Sequence, residues 1–233
     1  MRNSAINTPK GLRQKQMIKT AIFDVDGTLL NSTEMWKTLG ERYVLSLGKT
    51  PASDLSERLR ELSLDSAAKL LKMEYGLSFS EREIVSQTIG LTENFYRAEV
   101  TAKIGAEALL KRLCERGITL KILTSGNAKL AKAALERLNL LGFFDEIIGN
   151  ADKSTAADFL KICENPHEAL VFEDALYAVK SAKSAGFITC AVCDFSEKNA
   201  EILWKTADFY ENNLADYAEK IDEILKIVEN RIF

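Results

Sequence analysis

Short apolar runs, most of them followed by a stretch of helical periodicity, recur along the chain and limit its fold more than any other feature. The clearest are "IKTAIFDVD", "GITLKILTS", "EALVFED" and "FITCAVCD"; "FFDEIIGN" is shorter and "ADFYE" is a sixth candidate. Between them, "EALLKRLCERG" sets Leu109, Leu110 and Leu113 at helical spacing with Gly117 as a stop. "AKLAKAALERLNLLG" and "ALYAVKSAKSAG" follow the same plan, with Gly142 and Gly186 as their stops. Strands that are apolar on both faces need cover on both faces. Alternation with helices therefore predicts a doubly wound α/β domain with a parallel sheet.

One connection breaks the rhythm. Asp24 and Thr124, at the ends of the first two clear strands, lie about 100 residues apart, whereas a βαβ unit needs only about 30. The excess, Ser32 to Lys103, reads as four helices: "TEMWKTLGERYVLSLG", "DLSERLRELS" behind Asp54, "DSAAKLLKMEYG", and "SEREIVSQTIGLTENFYRAEV" with a Ser80–Glu83 capping box. The expected organisation is a core of 17–31 and 104–233, a helical insert of 32–103, and a basic, polar tail of 1–16 that is disordered and has no secretory h-region. A net charge of −3 provides no basic field for nucleic acid. No apolar run approaches the roughly 20 residues that span a bilayer, so neither a nucleic-acid nor a membrane partner is expected, and the location is read as cytoplasmic. Cys190 and Cys193 form a C-x-x-C, but they lie in a buried-strand pattern on opposite faces and no second Cys/His pair follows. They read as core cysteines, not a redox or zinc site.

Ligands of open parallel sheets bind outside the carboxyl ends of the strands. Here the first strand ends in "DVDGT" with Asp24 and Asp26, and the second in Thr124, Ser125 and Asn127. "ALVFED" ends in Glu173 and Asp174, and Lys153 follows the run that closes near Gly149. Clustered carboxylates at such an edge suit a hard cation, and Mg²⁺ takes oxygen ligands while keeping room for substrate phosphate. Lys153, the Thr124 hydroxyl and backbone N–H groups near Gly27 and Gly126 could hold that phosphate. One carboxylate could then attack phosphorus, and a second, two residues on, could serve the leaving oxygen as acid and then water as base. An EF-hand is excluded because glycine comes at the fourth position after a strand, and no dinucleotide or P-loop signature occurs.

"DVDGT", "ILTSGN", a lysine and "VFEDALYAVKSAKSAGF", in that order, resemble the four motifs of the haloacid dehalogenase superfamily. The helical insert is similar to the C1-type cap of its subclass I, the β-phosphoglucomutase and phosphoglycolate phosphatase-like branch. The resemblance implies a Rossmann-like core, Asp24 as nucleophile, Asp26 as acid/base, and Thr124 and Lys153 as phosphate contacts. It also implies Mg²⁺ bound by Asp24, the Asp26 carbonyl and Asp174, with Glu173 beside them. Ser125 is a further candidate phosphate contact. The acid at position 26 is unlike the dehalogenase branch and favours phosphoryl transfer. Around the lysine the family often reads K-P-x-P-D-x-F, where this chain has "KSTAADF", without the prolines and with Ala157 in the aspartate's place.

The insert is expected to close over the site and contact the leaving group, hinging near Asn31–Thr33 and Lys103–Gly105. Trp36 is either a substrate-facing wall or part of the insert's own core. The insert contains no histidine, which β-phosphoglucomutase-like relatives carry near this place, so hydrolysis is preferred to mutase chemistry. The sequence-based reading is a Mg²⁺-dependent phosphatase of a small phosphorylated metabolite, monomeric by default. A sugar phosphomutase is the first alternative and a non-catalytic phospho-ligand-binding relative the second.

Overall fold

The computed structural model describes residues 17–59, 62–195 and 197–230; the expectation of a disordered tail over 1–16 lies outside them. Six strands form one wholly parallel sheet: β1 Thr20–Phe23, β2 Thr119–Leu123, β3 Glu146–Ile148, β4 Ala169–Glu173, β5 Ile188–Val192 and β6 Phe209–Glu211. Their order is β3-β2-β1-β4-β5-β6. This is the Rossmann-like order, and the sheet changes direction of growth at β1, between β2 and β4. All five residues of β4 and of β5 are buried, which explains their unbroken apolar character. Phe23 stacks on Phe172 with ring centroids 4.4 Å apart, and Tyr217 meets Phe172 edge-on. Cys190 is buried in β5, and none of the four cysteines is in a disulfide.

Helices cover both sheet faces: α5 Ala106–Glu115, α6 Ala128–Arg137, α7 Ala157–Ile162, α8 Leu176–Ser184, α9 Ala200–Thr206 and α10 Leu214–Glu229, the last contributing Leu214, Tyr217, Ile221 and Val228 to the core. The second of the expected glycine stops differs from the sequence reading. α6 ends at Arg137, well before Gly142, because Asn139 takes the left-handed conformation (φ 57°). Asparagine tolerates that region when glycine is absent.

The expected insert is helical: α1 Thr33–Ser46, α2 Leu55–Leu59, α3 Leu64–Tyr75 and α4 Glu81–Asn94. Tyr43, Val44, Leu55, Ala68, Leu71, Leu77 and Ile84 form a separate apolar cluster among them. The Ser80–Glu83 capping box forms as expected. The last helix does not run straight on to Val100. After Asn94 it loosens into a π-helical turn, Phe95–Glu99, and there Tyr96 and Val100 join the core beneath the sheet's helices, with Phe95 packed against them. The chain enters and leaves the insert along adjacent segments: the Asn31 N–H bonds the Thr101 carbonyl, the Lys103 N–H bonds the Leu29 carbonyl, and the Asn31 side-chain amide reaches Thr101 and Ala102. No helix among the described residues is long and apolar enough to cross a membrane.

Candidate active site

The ends of β1 and β4 bring Asp24 and Glu173–Asp174 to the point where the sheet changes direction. The Asp24 N–H is bonded to the Phe172 carbonyl at 3.0 Å, which locks the two strand ends in register. Thr124 directly follows β2, and its N–H and carbonyl bond Ile148 and Ala151 on either side of Gly149, drawing the Lys153 turn inward. Asp24, Thr124, Lys153, Glu173 and Asp174 are all buried. With Asp26, Ser125, Gly126, Ala175 and Tyr177 they line a cavity of about 110 Å³. The positions singled out from sequence therefore converge, except that Ser125 lies exposed on the rim and Trp36 lies beyond the cavity on α1.

Lys153 Nζ is 2.5 Å from Asp24 Oδ1 and also donates to Glu173 Oε1. Glu173 Oε2 accepts the N–H groups of Asp174 (2.7 Å) and Ala175 (2.9 Å), so this carboxylate holds both the lysine and the turn into α8. The Thr28 hydroxyl donates to Asp174 Oδ1 at 2.9 Å. The Gly126 N–H donates to Thr124 Oγ1 at 3.0 Å, which leaves the threonine proton free for an oxygen in the cavity. Gly27 (φ 91°) is required twice over: an L side chain disfavours that angle, and a Cβ would lie 2.3 Å from Asp174 Oδ2.

The turn that carries Lys153 has a different brace from the two absent prolines. The Asp158 carboxylate accepts the Asp152 N–H at 2.7 Å, and the Asp152 carboxylate accepts the Ser154 N–H at 3.0 Å. The Ser181 hydroxyl ties the Ser154 carbonyl to α8.

Burial pushes the Asp24 carboxyl up to about 7; the Lys153 ammonium opposes that, and the charges of Glu173 and Asp26 add to it. Asp174 is raised well above the usual carboxylate range by burial, then by Glu173 and Asp24. For Lys153, burial favours the neutral amine, but Asp24 and Glu173 outweigh it and hold the ammonium above its ordinary value. Asp24, Glu173 and Asp174 each offer an oxygen, all within 4.8 Å of one another. Buried hard oxygen donors crowded this closely fit a hard divalent cation.

Two residues at the site, one lining the cavity and one bonded to Asp26, escaped the sequence reading. Tyr177, in the first turn of α8, closes the cavity beside Ser125. Tyr96 donates its hydroxyl proton to Asp26 Oδ1, which also accepts from the Ser32 hydroxyl at 2.6 Å. The only sequence signal for Tyr96 is an aromatic at the end of the insert. Trp36, half-exposed on α1, donates its indole N–H to the Tyr96 oxygen at 3.0 Å. It is thus neither a plain core residue nor a wall of this cavity.

A family profile described as haloacid dehalogenase-like hydrolase matches residues 18–186. The chain belongs to that family. The carboxylates, hydroxyl and lysine singled out from the sequence meet in the cavity, and the chain is an enzyme of this family. It is 29% identical over 187 residues to validoxylamine A 7′-phosphate phosphatase of Streptomyces hygroscopicus, covering 73% of this chain and 83% of that protein. It is 25% identical over 177 residues to a phosphorylated carbohydrates phosphatase of Thermotoga maritima, covering 72% and 82%. Its fold matches the crystal structure of β-phosphoglucomutase from Clostridium difficile with a TM-score of 0.64 at 20% identity, over 92% of this chain and all of that one.

Proposed function

We propose that this protein is a Mg²⁺-dependent phosphatase of small phosphomonoesters that works through an aspartyl phosphate on Asp24. One observation carries the reading: Asp24 shares a single buried ammonium with Glu173 in a cavity of about 110 Å³ that also contains Asp174 and Thr124. That volume suits a phosphoryl group and an ion, well below the roughly 300 Å³ or more of a pocket for a whole organic ligand. The leaving group therefore lies outside, on the side of α1 and the helical insert, which acts as a cap.

Asp24 supplies the attacking oxygen. Lys153, bonded to it, orients that carboxylate and neutralises charge on the phosphoryl oxygens, and the Thr124 hydroxyl donates to one of them. Asp26 gives a proton to the leaving oxygen as the P–O bond breaks, then takes one from the water that hydrolyses the aspartyl phosphate. Mg²⁺, held by Asp24 and Asp174 with the Asp26 carbonyl and Glu173 beside them, would neutralise charge and polarise the phosphoryl group. The oxygens of Glu173 are already engaged by Lys153 and two backbone N–H groups, so it contributes more by holding the lysine than as a ligand. The relatives named as phosphatases of validoxylamine A 7′-phosphate and of phosphorylated carbohydrates support this substrate class. A cytoplasmic location agrees with soluble metabolite substrates.

The test is phosphate release from p-nitrophenyl phosphate and a panel of metabolite phosphomonoesters, with Mg²⁺ or with EDTA. Mg²⁺-dependent release that Asp24→Asn abolishes is expected. Undiminished release by Asp24→Asn, or none by the wild type, would overturn the reading. Isomerised sugar phosphate formed from β-glucose 1-phosphate in place of free phosphate would make the enzyme a mutase.

A further inference from the structure

Among the described residues, the carboxylate of Asp26 is anchored at one oxygen only. Its Oδ1 accepts from the Ser32 hydroxyl at 2.6 Å and from the Tyr96 hydroxyl. Its Oδ2 faces the cavity beside Gly126, so closely that a Cβ on that glycine would lie 2.8 Å away. Ser32 and Tyr96 are both buried, and they come from opposite ends of the insert: Ser32 precedes α1, and Tyr96 lies in the π-helical turn after α4. Trp36 completes the chain, donating its N–H to the Tyr96 oxygen at 3.0 Å.

Chemistry sets the direction of this chain. An indole nitrogen only donates, so the Tyr96 oxygen is the acceptor there. The phenol has one proton, and it is left for Asp26 Oδ1. Burial and the neighbouring Asp26 charge both disfavour loss of that proton. With two O–H donors aimed at Oδ1, a proton carried by Asp26 sits on Oδ2, the oxygen on the cavity side.

We propose that Tyr96 and Ser32 are positioning residues that anchor Asp26 through Oδ1 and leave Oδ2 to carry the transferred proton, with Trp36 orienting the Tyr96 hydroxyl. This rests on the reading of Asp26 as the acid/base. In the forward step the Asp26 Oδ2–H bond breaks and the proton passes to the leaving oxygen as Asp24 bonds to phosphorus and the P–O bond to the leaving group breaks. Asp26 is left as a carboxylate still held at Oδ1, ready to take a proton from water. Without the Tyr96 donor the carboxylate can swing about its terminal torsion, and a misplacement of about 1 Å costs on the order of 100-fold in rate.

The experiment compares kcat/KM for two aryl phosphates that differ in their need for a proton. The p-nitrophenolate group leaves readily, whereas phenolate, with a pKa near 10 like tyrosine, needs protonation more. For Tyr96→Phe the expected loss is about 10- to 100-fold with phenyl phosphate and under about threefold with p-nitrophenyl phosphate. Retained turnover of the nitrophenyl ester shows that the variant is folded. Trp36→Phe, at a half-exposed position, should show the same pattern at about two- to tenfold, and it serves if Tyr96→Phe does not fold. Asp26→Asn is the control, with a larger loss of the same leaving-group dependence. Equal losses on both esters, or no loss, in the Tyr96 and Trp36 variants would overturn the anchoring role. A leaving-group-independent effect of Asp26→Asn would overturn the acid/base reading itself, and no wild-type turnover of either ester would overturn both.

Discussion

Replacing Lys153 by methionine should destabilise the metal-free protein strongly at neutral pH and far less in mild acid. Four carboxylates and one ammonium line the cavity, and that ammonium bonds both Asp24 and Glu173. Methionine fills similar space but leaves buried acids without a counter-charge. Breaking a buried ion pair from one side costs about 3–5 kcal/mol. For a chain of 233 residues that corresponds to a fall in Tm of about 6–20 °C. The pH dependence follows from Asp24, which titrates near 7 in the folded protein against an ordinary value of 3.8. Between those values the folded state binds the proton more tightly than the unfolded chain, so stability declines as pH rises. Loss of the ammonium raises the folded value further, which steepens the decline and widens the gap between variant and wild type toward pH 7.5. Urea denaturation of both proteins in EDTA, at pH 5.5 and pH 7.5, measures this. A gap that is the same at both pH values, or below about 1 kcal/mol at pH 7.5, would refute the assignment of Lys153 as the cluster's counter-charge.

Asp24→Asn should lower phosphate release by about 10⁴-fold or more and abolish the acid-stable trapping of radiolabelled phosphate on the protein; equal labelling would place the nucleophile elsewhere. Mg²⁺ at about 100 times its dissociation constant should stabilise the wild type by about 2.7 kcal/mol in thermal denaturation at pH 7.5, and by less at pH 5.5, where protons raised onto Asp24 and Asp174 compete. Gly27→Ala should cost about 1–3 kcal/mol and weaken Mg²⁺ binding measured by calorimetry, because the methyl group must displace the Asp174 carboxylate. Phe172→Ala should cost about 3–5 kcal/mol in urea denaturation, since its ring is fully buried against Phe23 and Tyr217.

The strands were legible because burial on both faces leaves an uninterrupted apolar signature, and even the short β3 and β6 stand where "FFDEIIGN" and "ADFYE" were read. Asp24, Asp26, Thr124, Glu173 and Asp174 were legible because the sheet is parallel: every strand delivers its carboxyl end to the same edge, so position along a strand is position in space. Where a left-handed asparagine could replace glycine, as at Asn139, the boundary was misplaced, because the substitute has no distinctive local pattern. The Lys153 turn lacked the usual prolines, and its brace by Asp152 and Asp158 is a set of side-chain bonds that spacing does not encode.

By itself, then, the sequence determined the parallel α/β core, the helical insert and the collection of carboxylates at one sheet edge, since each follows from periodicity and strand ends, which are local properties. Only the tertiary structure decided that Lys153 bridges Asp24 and Glu173, that Glu173 is saturated by its own turn, and that Ser32 and Tyr96 reach Asp26 from the two ends of the insert, with Trp36 bonded to Tyr96. The contacts of Lys153, Tyr96 and Trp36 join residues at least 20 positions apart, and they depend on the close approach of one segment to another, which no periodicity along the chain records.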